Sequence, residues 1–350
     1  MARSIKILVI PILIFTTFIS CEKNDTVNPM VRFPEGKGYE WLSDYNIFIG
    51  NLADINPNTE AGILPYNLNM ALFSDYASKK RFVYVPEGSK INFDTTDVLN
   101  FPLGSILIKH FYYLRTDGSE DNIETRLLIR QTDAWRAETY IWNEDQSDAQ
   151  RTIVGETLEL TTFANGGNRT FNYLVPNQNQ CKNCHSDEGK LEPVGPQAQN
   201  LHKDYPYDFG TANQLQTWMD RGILEDASLQ QLTAWPKIDD ASTSLNKRAR
   251  AYLDVNCASC HHRYGSAANS GLYLETENKD SLSVGIWKSP VAAGAGSGGF
   301  SYVIHPGMGD QSILLYRMIS LELDERMPEI GRDLIHDEGV LLIRDWIDTM

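Results

Sequence analysis

The chain has 350 residues, 42% of them hydrophobic, and 31 basic against 46 acidic side chains give it a formal charge of -15. That charge repels phosphate backbones and argues against a nucleic-acid partner, while the hydrophobic share suits a globular protein of two or three domains. With only five cysteines, the fold must be held by its core and not by a disulfide framework.

Residues 1–20, MARSIKILVIPILIFTTFIS, carry Arg3 and Lys6 ahead of an apolar run from Ile7 to Ile19. A charged head followed by a short apolar middle is the pattern of an export signal, and the run is short for a membrane span. It ends in Phe18-Ile19-Ser20-Cys21, which resembles a bacterial lipobox with Phe18 in place of the usual leucine. The resemblance implies lipid on Cys21 and membrane attachment through that lipid alone. It places the protein in the cell envelope, and the absence of Asp directly after Cys21 points to the outer membrane. Residues 21–40 are polar and contain prolines, as a tether requires.

Residues 41–175 are rich in β-branched and aromatic side chains: RFVYV, GSILIKHFYYL, ETRLLIR and ETYIW, with turn signals at Pro86-Glu87-Gly88 and Thr116-Asp117-Gly118. Short strands separated by turns predict a β-sandwich, read as a structural or docking module because no nucleophile stands at a plausible spacing from a base.

After Pro176 the texture changes to loops and helices. Helical spacing of apolar residues is seen in TANQLQTWMDRGIL, SLNKRARAYLDVN, QSILLYRMIS and EGVLLIRDWID. The glycine-rich GAGSGGF, residues 294–300, lacks a following Gly-Lys-Ser/Thr and is a poor phosphate cradle. The expected architecture is therefore α+β and multidomain. A haem 1 segment (176–245) and a haem 2 domain (246–350) form a mostly α-helical cytochrome c region behind the sandwich.

The haem assignment comes from two segments, QCKNCH ending at His185 and NCASCH ending at His261. A shuffled chain of this composition would show Cys-x-x-Cys-His about 0.001 times, and this chain shows it twice. A thioredoxin-type dithiol has no use for the adjacent histidine. A four-thiolate zinc site would have to join pairs too far apart for a zinc ribbon and would leave both histidines idle. Covalent haem uses every residue. Cys181 and Cys184, like Cys257 and Cys260, form thioethers to the vinyl groups, and His185 and His261 reach the iron. The expected cofactors are two covalently attached haem c groups.

The stretches LNMALFSDYASKKRFVYVPEG, FPLGSILIKHFYY, IETRLLIR, YLVPNQNQCKNCH, NQLQTWMDRGIL, RARAYLDVNCASCHH, GIWKSPVAAG and RMISLELDERMPEIGR carry a further resemblance, extending from about Trp41 to the C-terminus. The chain is similar to a family of exported diheme c-type cytochromes with a β-rich N-terminal domain. A similar double-haem module occurs beside quinoprotein sugar dehydrogenases, which implies electron transfer from an exported oxidation. Around Cys257 the order helix, motif, loop, helix, Met327-Pro328, closing helix resembles a class I cytochrome c. That resemblance implies Met327 as distal ligand, with Met318 as competitor on a helix and Met308 as outsider. His262 cannot serve the iron that His261 serves.

Around Cys181 only half of the class I pattern is present. Gly195-Pro196 resembles the segment whose proline carbonyl accepts the ring N–H of the axial histidine, here His185. The sixth position of haem 1 is open to Met219 or His202, or to Met70 or His110 from the β-region. The expected function is single-electron transfer between redox protein partners, from an exported donor such as a dehydrogenase to a respiratory acceptor. Its alternative is a peroxidase-type enzyme with an open haem 1, and a third class is a binding module that carries haem.

Overall fold

The computed structural model of the protein describes residues 30–164, 166–291 and 293–350. The expected signal and the lipidation site Cys21 lie outside these residues. Among the described residues no helix is long and apolar enough to cross a membrane.

The architecture corrects the expected one in two respects. The N-terminal region is not a sandwich of two sheets. It is one six-stranded antiparallel meander, β1 (Leu64–Tyr66), β2 (Ser78–Tyr84), β3 (Ile106–Leu114), β4 (Glu120–Arg130), β5 (Trp135–Trp142) and β6 (Ala149–Thr152), with each strand beside its sequence neighbour. The remaining long strands, β7 (Glu156–Ala164) and β8 (Gly167–Val175), pair only with each other. Both predicted turns form. Gly88 (φ 75°) follows Pro86-Glu87, with Ser89 N–H donating to Pro86 O, and Gly118 (φ 84°) sits beside Asp117, which accepts from Ser119. Left-handed backbone at these two positions is open to glycine at little cost.

Strand alternation gives the sheet two faces with different covers. One face carries Phe82, Ile106, Ile108, Leu127, Ile129, Tyr140 and Trp142, and it is sealed by Leu42, Tyr45, Ile47 and Phe48 from the irregular segment ahead of β1. The other face is shared. Val83, Leu107 and Trp135 pack against Leu191, Leu201, Leu215 and Trp218 from beyond residue 176, whereas Phe111 and Tyr113 pack under Phe171 and Tyr173 of the β7–β8 hairpin. The first cysteine segment thus has a core in common with the sheet. Burying a side chain such as Leu215 or Trp218, both fully enclosed, contributes about 2 kcal/mol or more each.

The second correction concerns residues 176–350, which are not mostly helical. Their helices are short: α1 (Gln178–His185), α2 (Ala198–Leu201), α3 (Gln214–Asp220), α4 (Leu245–Leu253), α5 (Ser281–Val284), α6 (Ile313–Ile319) and α7 (Asp337–Asp348). Two small ribbons intervene, β9 (Ser186–Asp187) with β10 (Lys190–Leu191) and β11 (Asp204–Tyr207) with β12 (Gly210–Asn213). The four helical spacings read in the sequence do form α3, α4, α6 and α7. Between α5 and α7 the prolines at 290, 306 and 328 and left-handed glycines at 294, 307 and 331 keep the chain from propagating helix, so long loops replace it. α4, α6 and α7 share a core of Ala249, Leu253, Leu315, Ile343 and Trp346 that also takes in Met70 from the loop between β1 and β2.

Candidate haem centres

The two cysteine segments are brought together. In the first, β8 ends at Val175, Pro176 turns the chain, and Asn177 caps α1. The cap is reciprocal: Asn177 Oδ1 accepts from Gln180 N–H at 2.8 Å while Gln180 Oε1 accepts from Asn177 N–H at 2.9 Å, an arrangement that contributes about 1 kcal/mol. Cys181, Cys184 and His185 therefore sit on one rigid two-turn helix.

In the second, α4 runs into a wide π-type turn, Asp254–Ala258, that carries Cys257. Such bulges recur at functional sites because they re-aim side chains without ending the helix. Asn256 fixes the turn, accepting from Phe73 N–H at 2.8 Å and donating to Tyr252 O at 3.1 Å.

The contact between the segments is direct. The Asn183 carbonyl accepts from Ser266 Oγ–H at 2.7 Å and lies 3.1 Å from Cys260 Sγ, and Cys184 lines the same cavity as Cys260. The neighbouring thiols shift each other, Cys260 below its ordinary range and Cys184 above it. Burial pushes Cys257 up to about 12 and also raises Cys181. Among the described residues no group of three or more His, Cys, Asp or Glu side chains is gathered as a metal ion would require.

Both motif histidines are in the neutral form at pH 7 with one nitrogen free. Burial lowers His185 to about 4, against the effect of its backbone hydrogen bond and with a lesser contribution from Lys109 and Arg126. Its Nδ1 donates to Glu192 O at 2.8 Å, and since a carbonyl only accepts, the lone pair is on Nε2. The expected acceptor was the Pro196 carbonyl, and here the structure differs. The β9–β10 ribbon returns the chain so that Glu192 meets the ring first, and Pro196 O instead accepts from Leu99 N–H at 3.1 Å.

Burial, followed by Arg317, lowers His261 to about 4. Its Nδ1 is 3.3 Å from Ser270 Oγ, whose own hydrogen is donated to Ala267 O at 2.7 Å. The ring therefore donates and again leaves Nε2 free. Glu192 and Ser270 escaped the sequence reading, because nothing in their type or spacing separates them from any loop residue.

A cavity of about 560 Å³ opens beside Cys257, Cys260 and His261. Leu272, Leu274, Val303, Ile313 and Leu314 give it apolar walls, Phe73 enters from the β1–β2 loop, and Lys288, Arg317 and Arg332 supply positive charge. Met327 and Met318 both line it. Met327 is half-buried in a loop, its N–H donating to Arg317 O at 2.9 Å, while Met318 is 7% exposed within the α6 core. Met308 is 45% exposed and does not line the cavity. Cysteine pair, free imidazole nitrogen, a thioether on the lining and apolar walls fit a c-type haem. Cys184 lies on the same wall, so the first motif borders this cavity.

For the first motif, the four expected distal residues separate. His110 is fully buried on the opposite face of the sheet, with Nδ1 2.8 Å from Thr125 Oγ1 and Nε2 3.0 Å from Asn122 Oδ1. Met70 belongs to the core of the second segment. His202 is anchored through Nδ1 to Leu232 O at 3.1 Å. Met219 packs on the same core as Cys181, and its sulfur accepts from Ala227 N–H at 3.3 Å. No protein-family model, curated protein or solved structure matches the chain.

Proposed function

We propose that the protein is an electron-transfer protein carrying two covalently attached haem c groups. The observation that carries this reading is the direct contact of the two Cys-x-x-Cys-His segments at Asn183, Cys260 and Ser266. Each haem, when bound, supplies a one-electron couple. The chain's residues do the rest. His185 and His261 present neutral Nε2 atoms, held by Glu192 O and Ser270 Oγ, so that little moves when the charge at the site changes. Met327 lines the same cavity as His261 and would supply a thioether to the group held there, a ligand that raises the reduction potential.

Through the Asn183 contacts the two motifs would hold the two groups close together, and the pair would supply a route for single electrons between the partners. The partners are redox proteins, and attachment to the cell envelope rests on Cys21. The carrier role is tested by adding carbon monoxide to the fully reduced protein. An unchanged spectrum supports two six-coordinate irons, with Met219 and His202 then tested by substitution as the sixth ligand of haem 1. A change in half of the haem means that one face is open, and peroxide turnover by the reduced protein then replaces the carrier role.

A further inference from the structure

The sheet face that approaches α1 carries an unusual row. Between its two apolar cores, Arg81 of β2, Lys109 of β3 and Arg126 of β4 stand directly opposite one another. One step along the strands, Lys79 is opposite Phe111, which is opposite Glu124. Like charges directly opposite across strands destabilise a sheet, and buried charge requires a partner. The internal partners do not suffice. Glu124, fully buried, accepts from Nε and Nη2 along one edge of the Arg126 guanidinium and from the Tyr173 hydroxyl at 2.6 Å.

Arg81 is 5% exposed, gives Nη1 to Asn67 Oδ1 at 3.2 Å, and leaves Nη2 buried without a hydrogen-bond partner. Lys79 donates only to Ala77 O, and Lys109 has the Phe111 ring 4.9 Å away and no carboxylate. Burial first, then Arg81, Lys79 and Arg126, drives Lys109 well below the ordinary lysine range. Lys79, Lys109 and Arg126 all keep some accessible surface, so they line a cleft and are not sealed in a core. The cleft adjoins the first motif: Cys181 packs on the same core as Val83, Leu107 and Leu128, which lie two residues along the strands from Arg81, Lys109 and Arg126, and Gln178 of α1 donates to Ala137 O of β5 at 3.2 Å.

We infer that Lys79, Arg81, Lys109 and Arg126 form a carboxylate-binding site beside Cys181, Cys184 and His185. Amines and guanidiniums with unspent donors, one of them a buried guanidinium, match carboxylate oxygens, and a bound carboxylate would favour the charged form of both lysines. The carboxylate has two sources, the propionates of the haem on this motif or a small free dicarboxylate. The inference rests on the two-haem reading for the first source only.

The test uses the full-length protein matured with haem, together with Lys109→Gln and Arg81→Gln, and reads haem per chain, the two midpoint potentials and a succinate titration. If propionates occupy the cleft, both variants keep two haems, one midpoint falls because a cation that favoured the reduced state is gone, Lys109→Arg restores it, and succinate has no effect. If a free carboxylate occupies it, succinate shifts the wild-type haem 1 spectrum with saturation and Lys109→Gln abolishes the response. Unchanged midpoints with no succinate response overturn the inference, as does a conversion of haem 1 to high spin in Lys109→Gln, which would put that amine on the iron. Should Arg81→Gln not fold, Lys109→Gln at the cleft surface decides. A chain that carries no haem at all fails the two-haem reading instead. The cleft is then judged by whether succinate raises the melting temperature saturably, and a flat response overturns it.

Discussion

The backbone carbonyl of Asn183 lies 3.1 Å from the sulfur of Cys260, a residue 77 positions further along the chain. Each residue belongs to a different Cys-x-x-Cys-His segment, so this one contact sets the spacing of the two centres. It predicts that the two haems report on each other. Reducing one adds an electron close to the other, so the two midpoints should be separated by more than their ligand sets require. The oxidised protein should show magnetic broadening relative to single-haem variants made by His185→Ala or His261→Ala. Independent, unbroadened signals would mean that the motifs do not sit edge to edge.

Met327 and Met318 both reach the cavity of His261, and they differ in what else they do. Met318 fills the α6 core, so Met318→Ala should cost about 2–4 kcal/mol of stability and leave the near-infrared charge-transfer band of Met-ligated ferric haem in place. Met327→Ala should abolish that band and lower the haem 2 potential with a smaller loss of stability. The reverse pattern would assign the ligand to Met318.

On the proposed two-haem reading, Ser270 would tune the imidazole of His261. Its oxygen accepts the His261 Nδ1–H, and this adds electron density to the ring and favours ferric iron. Ser270→Ala should therefore move the haem 2 midpoint upward, visible in a spectroelectrochemical titration, while the haem 1 midpoint stays where it is. A downward or absent shift would place the ring N–H elsewhere.

Asp75 ties the sheet region to the loop after Met327. Its Oδ1 accepts from Asp333 N–H and Leu334 N–H, both at 2.7 Å, and its own carbonyl accepts from Tyr113 Oη–H. Burial, opposed by these two backbone bonds, raises its pKa from 3.8 to about 6. A folded-state value above the unfolded one means a stability contribution complete below about pH 4 and lost as pH rises through 6, on the order of 3 kcal/mol. Asp75→Asn keeps the acceptor and removes the titration. Chemical denaturation from pH 4 to 7 should show a weaker fall in stability for the variant than for the wild type, and parallel curves would refute the assignment.

What the sequence made legible was local. The doubled motif, the four amphipathic helices and the two glycine turns depend on spacing and residue type over a dozen residues. The sandwich expectation failed because alternation reports that a strand has a covered face and not what covers it. Here a coil segment around Leu42 and Tyr45 and a single hairpin do what a second sheet was expected to do. The helical haem region failed because α6 and α7 were read as typical of a stretch that proline and glycine break between them. Pro196 lost its role to Glu192 through a two-residue ribbon too short to leave a pattern. The cation row was invisible because Arg81, Lys109 and Arg126 meet only through strand register.

If each motif holds a haem covalently, as proposed, the haem content of the purified chain after expression with c-type maturation shows it most directly. Two haems per polypeptide are expected by pyridine haemochrome absorbance, surviving denaturing electrophoresis, with a mass raised by two haem groups. Cys181→Ser with Cys184→Ser should retain one, as should Cys257→Ser with Cys260→Ser. A chain that matures without covalent haem, or that binds a single metal ion through all four cysteines, would contradict it.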